Sequence, residues 1–185
     1  MRARPIPVLK TKRLILRGIT LADAPSYGRH FIDYEVVRTL ANTVPWPYPE
    51  DGIENFITDV LLPGQGKDFW AWGLFLTTSP NKLIGGLTLR RDGPKGNRGF
   101  WLGRQFWGQG LMSEAVDVTL DFAFNVAGFE VLHFQNAQGN EASRRIKQAT
   151  GARYVGEDAG HYLDPALTIT ELWELRKQDW LSHKS

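Results

Sequence analysis

The run Phe100-Trp101-Leu102-Gly103-Arg104-Gln105-Phe106-Trp107-Gly108-Gln109-Gly110-Leu111 passes from an apolar, strand-sized segment, through a turn carrying two glycines, into the start of an amphipathic pattern. The helix predicted to begin there covers 109–127. Its polar stripe is Glu114, Asp117, Asp121 and Asn125; its apolar stripes are Leu111, Ala115, Val118 and Phe122 beside Met112, Val116, Leu120 and Ala123. Two adjacent stripes make a wide buried face, suited to packing on a sheet. The first turn of a helix presents unpaired N–H groups and a partial positive charge, which together attract phosphate. Glycine lets the backbone approach such a group with no Cβ in the way.

On the amino-terminal side, a strand is expected over 13–17. Thr20 then opens a helix with Asp23 in its first turn, since Thr is a good N-cap and an acid suits that end. A helix over 34–40 follows. Pro45-Trp46-Pro47-Tyr48-Pro49 can be neither regular helix nor central strand and reads as a stiff aromatic loop. A helix over 50–62 carries Ile53, Phe56, Ile57 and Val60 at helical spacing and is ended by Pro63-Gly64. The period then changes. Apolar runs at 69–76, 83–89 and 99–103, separated by Ser79-Pro80-Asn81 and Asp92-Gly93-Pro94-Lys95-Gly96-Asn97, predict an antiparallel meander.

Beyond the glycine turn, a strand is expected over 131–137 and a short helix over 140–150, capped by Asn140 and closed by Gly151. Strands at 154–155 and 167–175 follow; in the last, positions 167, 169, 173 and 175 are apolar and Glu171 is the exception. The order predicts an α/β fold, a layer of mixed, mostly antiparallel sheet flanked by helices on both faces.

The chain has 185 residues, a size that suits one domain with its own core, and no linker or repeat divides it. Without cysteine, disulfides, Cys-based zinc sites, iron–sulfur clusters and a thiol nucleophile are excluded. No apolar run approaches the roughly 20 residues of a membrane helix, and Met1-Arg2-Ala3-Arg4-Pro5-Ile6-Pro7 has no apolar signal core. A cytoplasmic protein is expected, with no metal and no membrane partner. The net charge of +2 does not argue for nucleic acid. Residues 1–20 carry Arg2, Arg4, Lys10, Lys12, Arg13 and Arg17 and no acid, which reads either as a solvated basic edge or as part of an anion-attracting face.

Three phosphate-binding patterns compete for the glycine turn. Gly103 and Gly108 have the spacing of a P-loop, but Gln109 and Gly110 stand where Lys and Ser/Thr are required, so that reading fails. Gly108-x-Gly110 opens a dinucleotide fingerprint, but Ser113 occupies its third place and the meander argues against a parallel sheet; Glu130, about twenty residues on, keeps this reading weakly open. The third pattern is a resemblance. Gln105-x-x-Gly108-x-Gly110 resembles the Q/R-x-x-G-x-G/A signature of the GNAT superfamily of acetyltransferases. Asn140-Glu141-Ala142-Ser143, followed by Gly151-Ala152, is similar to that superfamily's second motif. Thr11-Lys12-Arg13-Leu14-Ile15-Leu16-Arg17 followed by Leu21-Ala22-Asp23 resembles the opening of the subgroup that acetylates ribosomal-protein amino termini.

The resemblance implies one N-acetyltransferase domain over 1–185, with a sheet splayed at the strand that meets the cosubstrate. It implies acetyl-coenzyme A as acetyl donor. The pantetheine arm would pair with the free edge of the strand over 99–103, with Leu102 at the matching position, by the logic of strand addition. Gln105, Trp107, Gly108, Gln109, Gly110, Leu111 and Met112 would hold the pyrophosphate, and Asn140 the arm as well as the helix end. The acceptor implied is a primary amine, above all a protein or peptide α-amine, with a small-molecule amine as the alternative.

Ser143 matches the place where the subgroup puts a hydroxyl near the cosubstrate sulfur. Serine is far too weak an acid to match a thiol near pKa 8.5, so a hydrogen-bond donor is expected there rather than a proton reservoir. His161 stands where the subgroup often has a glutamate base; Glu157, Asp164, Glu171 and water remain alternatives. The aromatic loop 45–49 and the helix after Thr20 are expected to form the acceptor cleft. A monomer or homodimer without stable nucleic-acid binding is expected. A non-catalytic module contacting coenzyme A or RNA is the competing class.

Overall fold

The computed structural model of the chain describes residues 6–66, 68–92 and 96–184. Strands β1 (Leu9–Lys10) and β2 (Leu14–Gly18) come first. A 3-10 turn, Leu21–Asp23, leads into α1 (Ala24–Phe31), and α2 (Tyr34–Val37) follows. α3 (Gly52–Phe56) runs through a π-type turn, Ile57–Leu61, into α4 (Leu62–Gly64). The meander is β3 (Phe69–Leu76), β4 (Ser79–Arg90) and β5 (Arg98–Leu102). Then come α5 (Leu111–Asn125), β6 (Val131–Ala137), α6 (Glu141–Ala149), β7 (Arg153–Ala159), β8 (Ile169–Arg176) and α7 (Lys177–Lys184).

The hydrogen-bonded ladders are antiparallel and fall into a five-stranded sheet, β1-β2-β3-β4-β5, and a three-stranded sheet, β6-β8-β7. Among the described residues, hydrogen bonds join the two at one place. Asn97 N–H donates to the His133 carbonyl and His133 N–H donates to Asn97 Oδ1, each at 2.7 Å. Beyond that contact no ladder joins β5 to β6, so the sheet is splayed at β5.

β3 shows how one sheet separates two cores. Side chains alternate across a strand, and here even and odd positions serve different partners. Trp70, Trp72 and Leu74 pack with Leu111, Ala115 and Phe122 of α5, while Ala71 and Phe75 pack with Tyr27 and Phe31 of α1 and Ile53 and Ile57. A strand buried on both faces reads as an unbroken apolar run, as Phe69–Leu76 does. In β4 the register breaks: Leu74 faces Gly85 and Phe75 faces Leu83, leaving Ile84 as the extra residue of a bulge. Next to it β4 runs very close to β5. A Cβ on Gly85 would stand 2.6 Å from the Trp101 carbonyl oxygen, and one on Gly86 2.7 Å from the Trp101 indole nitrogen.

The basic opening segment is a structural device at Arg17, the last of its arginines. Arg17 donates from both terminal nitrogens to the Asp23 carboxylate, at 2.9 Å each, and lies 3.8 Å above the Phe75 ring. The same carboxylate accepts from the Thr20 amide and hydroxyl, which fixes the start of the helical segment. Burial alone would raise the Asp23 carboxyl, but the bonds from Arg17 and Thr20 outweigh it and hold it below its ordinary value.

Several sequence expectations shift at their edges. The helix placed over 34–40 stops at Val37. Val60 is exposed rather than core-facing, because the buried line is Ile53, Ile57 and Leu61. Pro63-Gly64 does not end the helix but forms its last turn, where proline is tolerated because that turn, α4, begins one residue earlier. β1 and α7 are additions. α7 has no apolar stripe to read; Trp180 alone among its residues is buried, donating its indole N–H to Asp121 at 3.2 Å. Arg2, Arg4 and Gly93-Pro94-Lys95 of the expected basic start and turn lie outside the described residues.

Arg17→Met leaves a buried carboxylate without its charged donors and is expected to lower stability by about 1.5–3 kcal/mol in urea unfolding. Because the Asp23 carboxyl is depressed in the folded state, this difference is present above its unfolded value near pH 3.9 and shrinks as pH falls through the folded one. A difference that does not change down to about pH 2 would assign the loss to packing on Phe75 alone.

Candidate functional site

Gly103 N–H donates to the Ile84 carbonyl and Arg90 N–H donates to the Asn97 carbonyl, so the odd positions of β5 face β4. By strand alternation the backbone groups of Phe100 and Leu102 point the other way, along the edge that β6 leaves open. One of these groups is already engaged: the Trp107 indole donates to the Leu102 carbonyl at 2.7 Å. The Leu102 N–H and both polar groups of Phe100 remain directed at the gap.

After β5 a 3-10 turn, Arg104–Phe106, brings the chain to the glycine turn. Gly108 and Gly110 have φ of 72° and 74°, a conformation that costs a residue with a Cβ about 1–2 kcal/mol. The first helical bond of α5 runs from Glu114 N–H to the Gly110 carbonyl, so the amides from Leu111 to Ser113 have no partner within the helix. A Cβ on Gly108 would meet nothing within 4 Å, so the space above the turn is open.

The turn is clamped from the residues just before β2. Arg13 donates Nη1 to the Gln109 carbonyl at 2.9 Å and Nε to Glu114 Oε2 at 2.8 Å, and its amide donates to Glu114 Oε1 at 2.8 Å. The Thr11 hydroxyl donates to the same carboxylate. Burial would raise the Glu114 carboxyl, but these donors hold it below its ordinary value.

On the far side of the gap stands α6. Asn140 Oδ1 accepts from Ser143 N–H at 3.2 Å, and Gly151 closes the helix at φ 80°. Ser143 is 7% exposed, and Lys147 Nζ donates to its Oγ at 2.7 Å. Lys147 is 1% exposed. Burial first, and the Arg98 charge second, push its ammonium well below the ordinary value, against the pull of Glu171. Glu171 is itself buried; Asn136 donates to it at 2.9 Å and Arg144 stands 3.7 Å away.

Together these pieces enclose a cleft of about 660 Å³. It runs from the glycine turn along Phe100 and Leu102 to Ser143, and ends against Glu35, Arg38 and Leu40. Of the sequence-predicted residues, Leu102, Trp107, Gly108, Gly110, Leu111, Met112, Asn140 and Ser143 line it. Gln105 and Gln109 do not: Gln105 lines a neighbouring cavity beside α1, and Gln109 donates its amide to the Gln105 carbonyl at 3.1 Å.

The structure does not bring His161 to the cleft. The segment after β7 folds back on residues 38–42: Ala41 bridges to Tyr162, Leu163 N–H donates to the Leu40 carbonyl, and Asp164 N–H to that of Arg38. That pairing uses the His161 carbonyl as acceptor for Asn42 and leaves its side chain exposed. Of the alternatives, Glu157 is exposed and bonded to Tyr154, Asp164 is paired with Arg38, and Glu171 is buried beneath α6. The loop 45–49 does not line the cleft either. Trp46 packs at a tilt against Tyr34 and Tyr48 edge-on against Phe31, and the wall expected of the loop is made by α2 and the residues after it. α1 lines the neighbouring cavity instead.

Sequence reasoning missed Arg98 and Lys147, and named Arg13 only as part of the basic opening segment. Lys147 had a legible signal: Asn140, Ser143 and Lys147 recur at i, i+3 and i+7, one face of a helix. Among the described residues no group of three or more His, Asp or Glu side chains could hold a metal, and no helix is long and apolar enough to cross a membrane.

The family described as the acetyltransferase (GNAT) domain matches residues 13–153 of this chain. An uncharacterized N-acetyltransferase, p20, of Bacillus licheniformis is 30% identical over 122 residues, covering 63% of this chain and 65% of that curated relative's length. The solved structure of the ribosomal-protein-S5-alanine acetyltransferase of Vibrio fischeri superposes with a TM-score of 0.72 at 19% identity, covering 94% of this chain and 98% of the other. A ribosomal L7/L12 alpha-N-protein acetyltransferase in complex with coenzyme A gives 0.74 at 18% identity, again over 94% and 98%. At these identities the structural likeness is one of fold.

Asn140→Ala removes the cap from the helix that carries Ser143 and Lys147. A loss of about 1 kcal/mol is expected, or about 2–4 °C in thermal midpoint for a chain of this size. Thermal and urea unfolding check it; an unchanged midpoint would show that the end of α6 is held by other contacts.

Proposed function

The chain belongs to the GNAT acetyltransferase family, and from that membership we propose that it moves the acetyl group of acetyl-coenzyme A to a primary amine, favouring the α-amine of a protein or peptide. The observation that carries the reading is one unbroken cleft from an open, amide-rich glycine turn, along the free edge of β5, to a buried serine. The residues fit the cosubstrate in kind. Unpaired amides and an αL glycine suit a pyrophosphate, an unpaired strand edge suits the amides of a pantetheine arm, and the far wall leaves room for an amine. We further propose that 1–185 is a single N-acetyltransferase domain.

In this reading the amides from Gly108 to Ser113 bind the phosphates. Arg13 holds the turn in shape and adds positive charge beside it. The Phe100 backbone aligns the arm, and the Leu102 N–H, facing the gap, stabilises the oxygen that gains charge as the amine attacks. Ser143 donates a hydrogen bond to the sulfur as negative charge builds there. Glu35 and Arg38 meet the acceptor at the far wall.

Two considerations favour an α-amine. An α-amino group has a pKa of about 7.7–8.0 against about 10.4 for lysine, so a fraction is already neutral near pH 7 and water suffices as base. With His161 outside the cleft, the lining residues include no histidine base, which a lysine acceptor would need more. The names of the two ribosomal-protein acetyltransferases with this fold point the same way.

Gly108→Asp places a carboxylate over the turn. At an effective dielectric constant of about 20 and roughly 5 Å, one unit charge costs a few kcal/mol, so acetyl-coenzyme A affinity should fall about tenfold to a hundredfold in calorimetric titration. A folded variant with unchanged affinity would move the phosphates elsewhere. The acceptor is decided by peptides whose single free amine is either terminal or on a lysine, with mass spectrometry locating the label. Preferential terminal labelling is expected; preference for lysine, or for small amines alone, overturns the acceptor assignment.

A further inference from the structure

We infer that Lys147 is a positioning residue that acts through Ser143: its buried ammonium takes a lone pair of the serine oxygen, turns the hydroxyl hydrogen toward the cleft, and supplies the proton that the serine passes to the leaving sulfur. The inference rests on the acetyl-transfer reading above and assigns a role within that site.

Lys147 has no evident structural reason to be where it is. Burying an ammonium is costly unless it is paired. Yet the carboxylate nearest in sign, Glu171 of β8, is engaged by Asn136 and faces Arg144. From β5, Arg98 brings a second cation, its guanidinium 3.9 Å over the Phe134 ring and both terminal nitrogens without a hydrogen-bond partner among the described residues. The Phe100 ring lies 5.9 Å from Lys147 Nζ. The hydrogen bond Lys147 does make goes to Ser143 Oγ, at 2.7 Å.

That bond fixes the serine's role. An ammonium only donates, whereas a hydroxyl has one hydrogen and two lone pairs. With Lys147 donating to Oγ, the hydroxyl hydrogen is free to point into the cleft that Ser143 lines. A helical serine without such a partner bonds back to the carbonyl one turn earlier.

Lys147 also resolves the mismatch in acidity. Serine is far too weak an acid to neutralise a thiolate near pKa 8.5. An ammonium is a far stronger acid than a serine hydroxyl, and burial first and the Arg98 charge second push it further in that direction, against the opposing pull of Glu171. When the C–N bond forms and the C–S bond breaks, the sulfur keeps the electron pair. Ser143 gives its hydroxyl proton to the sulfur and takes one from Lys147 Nζ. Lys147, left neutral, regains a proton from water, which has received the one the amine released.

The test is Lys147→Met, similar in length and without charge, with Lys147→Gln in its place if the methionine variant does not fold. The thiol of coenzyme A bound to the protein is titrated by thiolate absorbance, a readout that needs no acceptor. It should titrate lower on the wild type than on the variant, by about one unit. In turnover, kcat should fall about tenfold with KM for acetyl-coenzyme A unchanged, about 1.4 kcal/mol. The double variant with Ser143→Ala should be no slower than either single one. The wild-type kcat, which needs the charged Lys147, should decline as pH rises through a value below the ordinary 10.5, and the variant should lack that decline. Coenzyme A that does not bind the wild type overturns the acetyl-transfer reading and this inference together. A bound thiol that titrates alike in both proteins, or losses that add in the double variant, overturns the inference alone.

Discussion

Among the described residues, hydrogen bonds join β5 and β6 at one end alone, and the cleft lies where the two strands part. Asn97 and His133 exchange two short hydrogen bonds, and beyond them each strand satisfies its backbone on the side away from the other. An unpaired strand edge inside a protein is a liability unless something covers it. Here it borders the cleft: the Leu102 N–H and both polar groups of Phe100 face a gap that a strand-like ligand could complete. The Ile84 bulge and the glycines at 85 and 86, against which Trp101 presses, bend β4 and β5 together at the point where the gap opens.

The closed end of the gap is unusual in its charge. Arg98 and Lys147 both bury cationic heads there, among the rings of Phe100 and Phe134, with Glu171 as the nearby acid. Burial lowers the Arg98 guanidinium to about 9, because the apolar surroundings disfavour its charged form. Such an arrangement costs stability, and it lies directly behind the serine that faces the cleft.

The amino-terminal segment ties the two ends of the chain's architecture together. Thr11 and Arg13, in the connection between β1 and β2, hold Glu114 and the glycine turn, so that connection of the larger sheet sets the position of the α5 amides. As an exposed ion pair, Arg13 with Glu114 would add little to stability. Its importance is geometric: it holds from outside a turn that its own side chains brace through Trp107 and Gln109. Four residues on, Arg17 performs the corresponding service for the start of α1 through Asp23.

Local chemistry made much of this legible without coordinates. Strand period, the apolar run of β3, the stripes of α5, the Asn140 cap and the two glycines of the turn are properties of short windows, and the structure has them where the windows placed them. The glycine turn was readable because the need for φ above zero and for close approach is written in the residue itself. What needed the tertiary structure was whatever depends on segments distant in sequence. His161 is turned out of the cleft by pairing with residues more than a hundred positions earlier. The wall expected from the aromatic loop is made by α2, because Trp46 and Tyr48 found partners in Tyr34 and Phe31. α7 escaped notice since a helix held by one tryptophan carries no stripe. Lys147, ordinary on paper, is exceptional only once α6 lies over β5 and β6, for burial and the charge of Arg98 are properties of the packed interior and of no window of sequence.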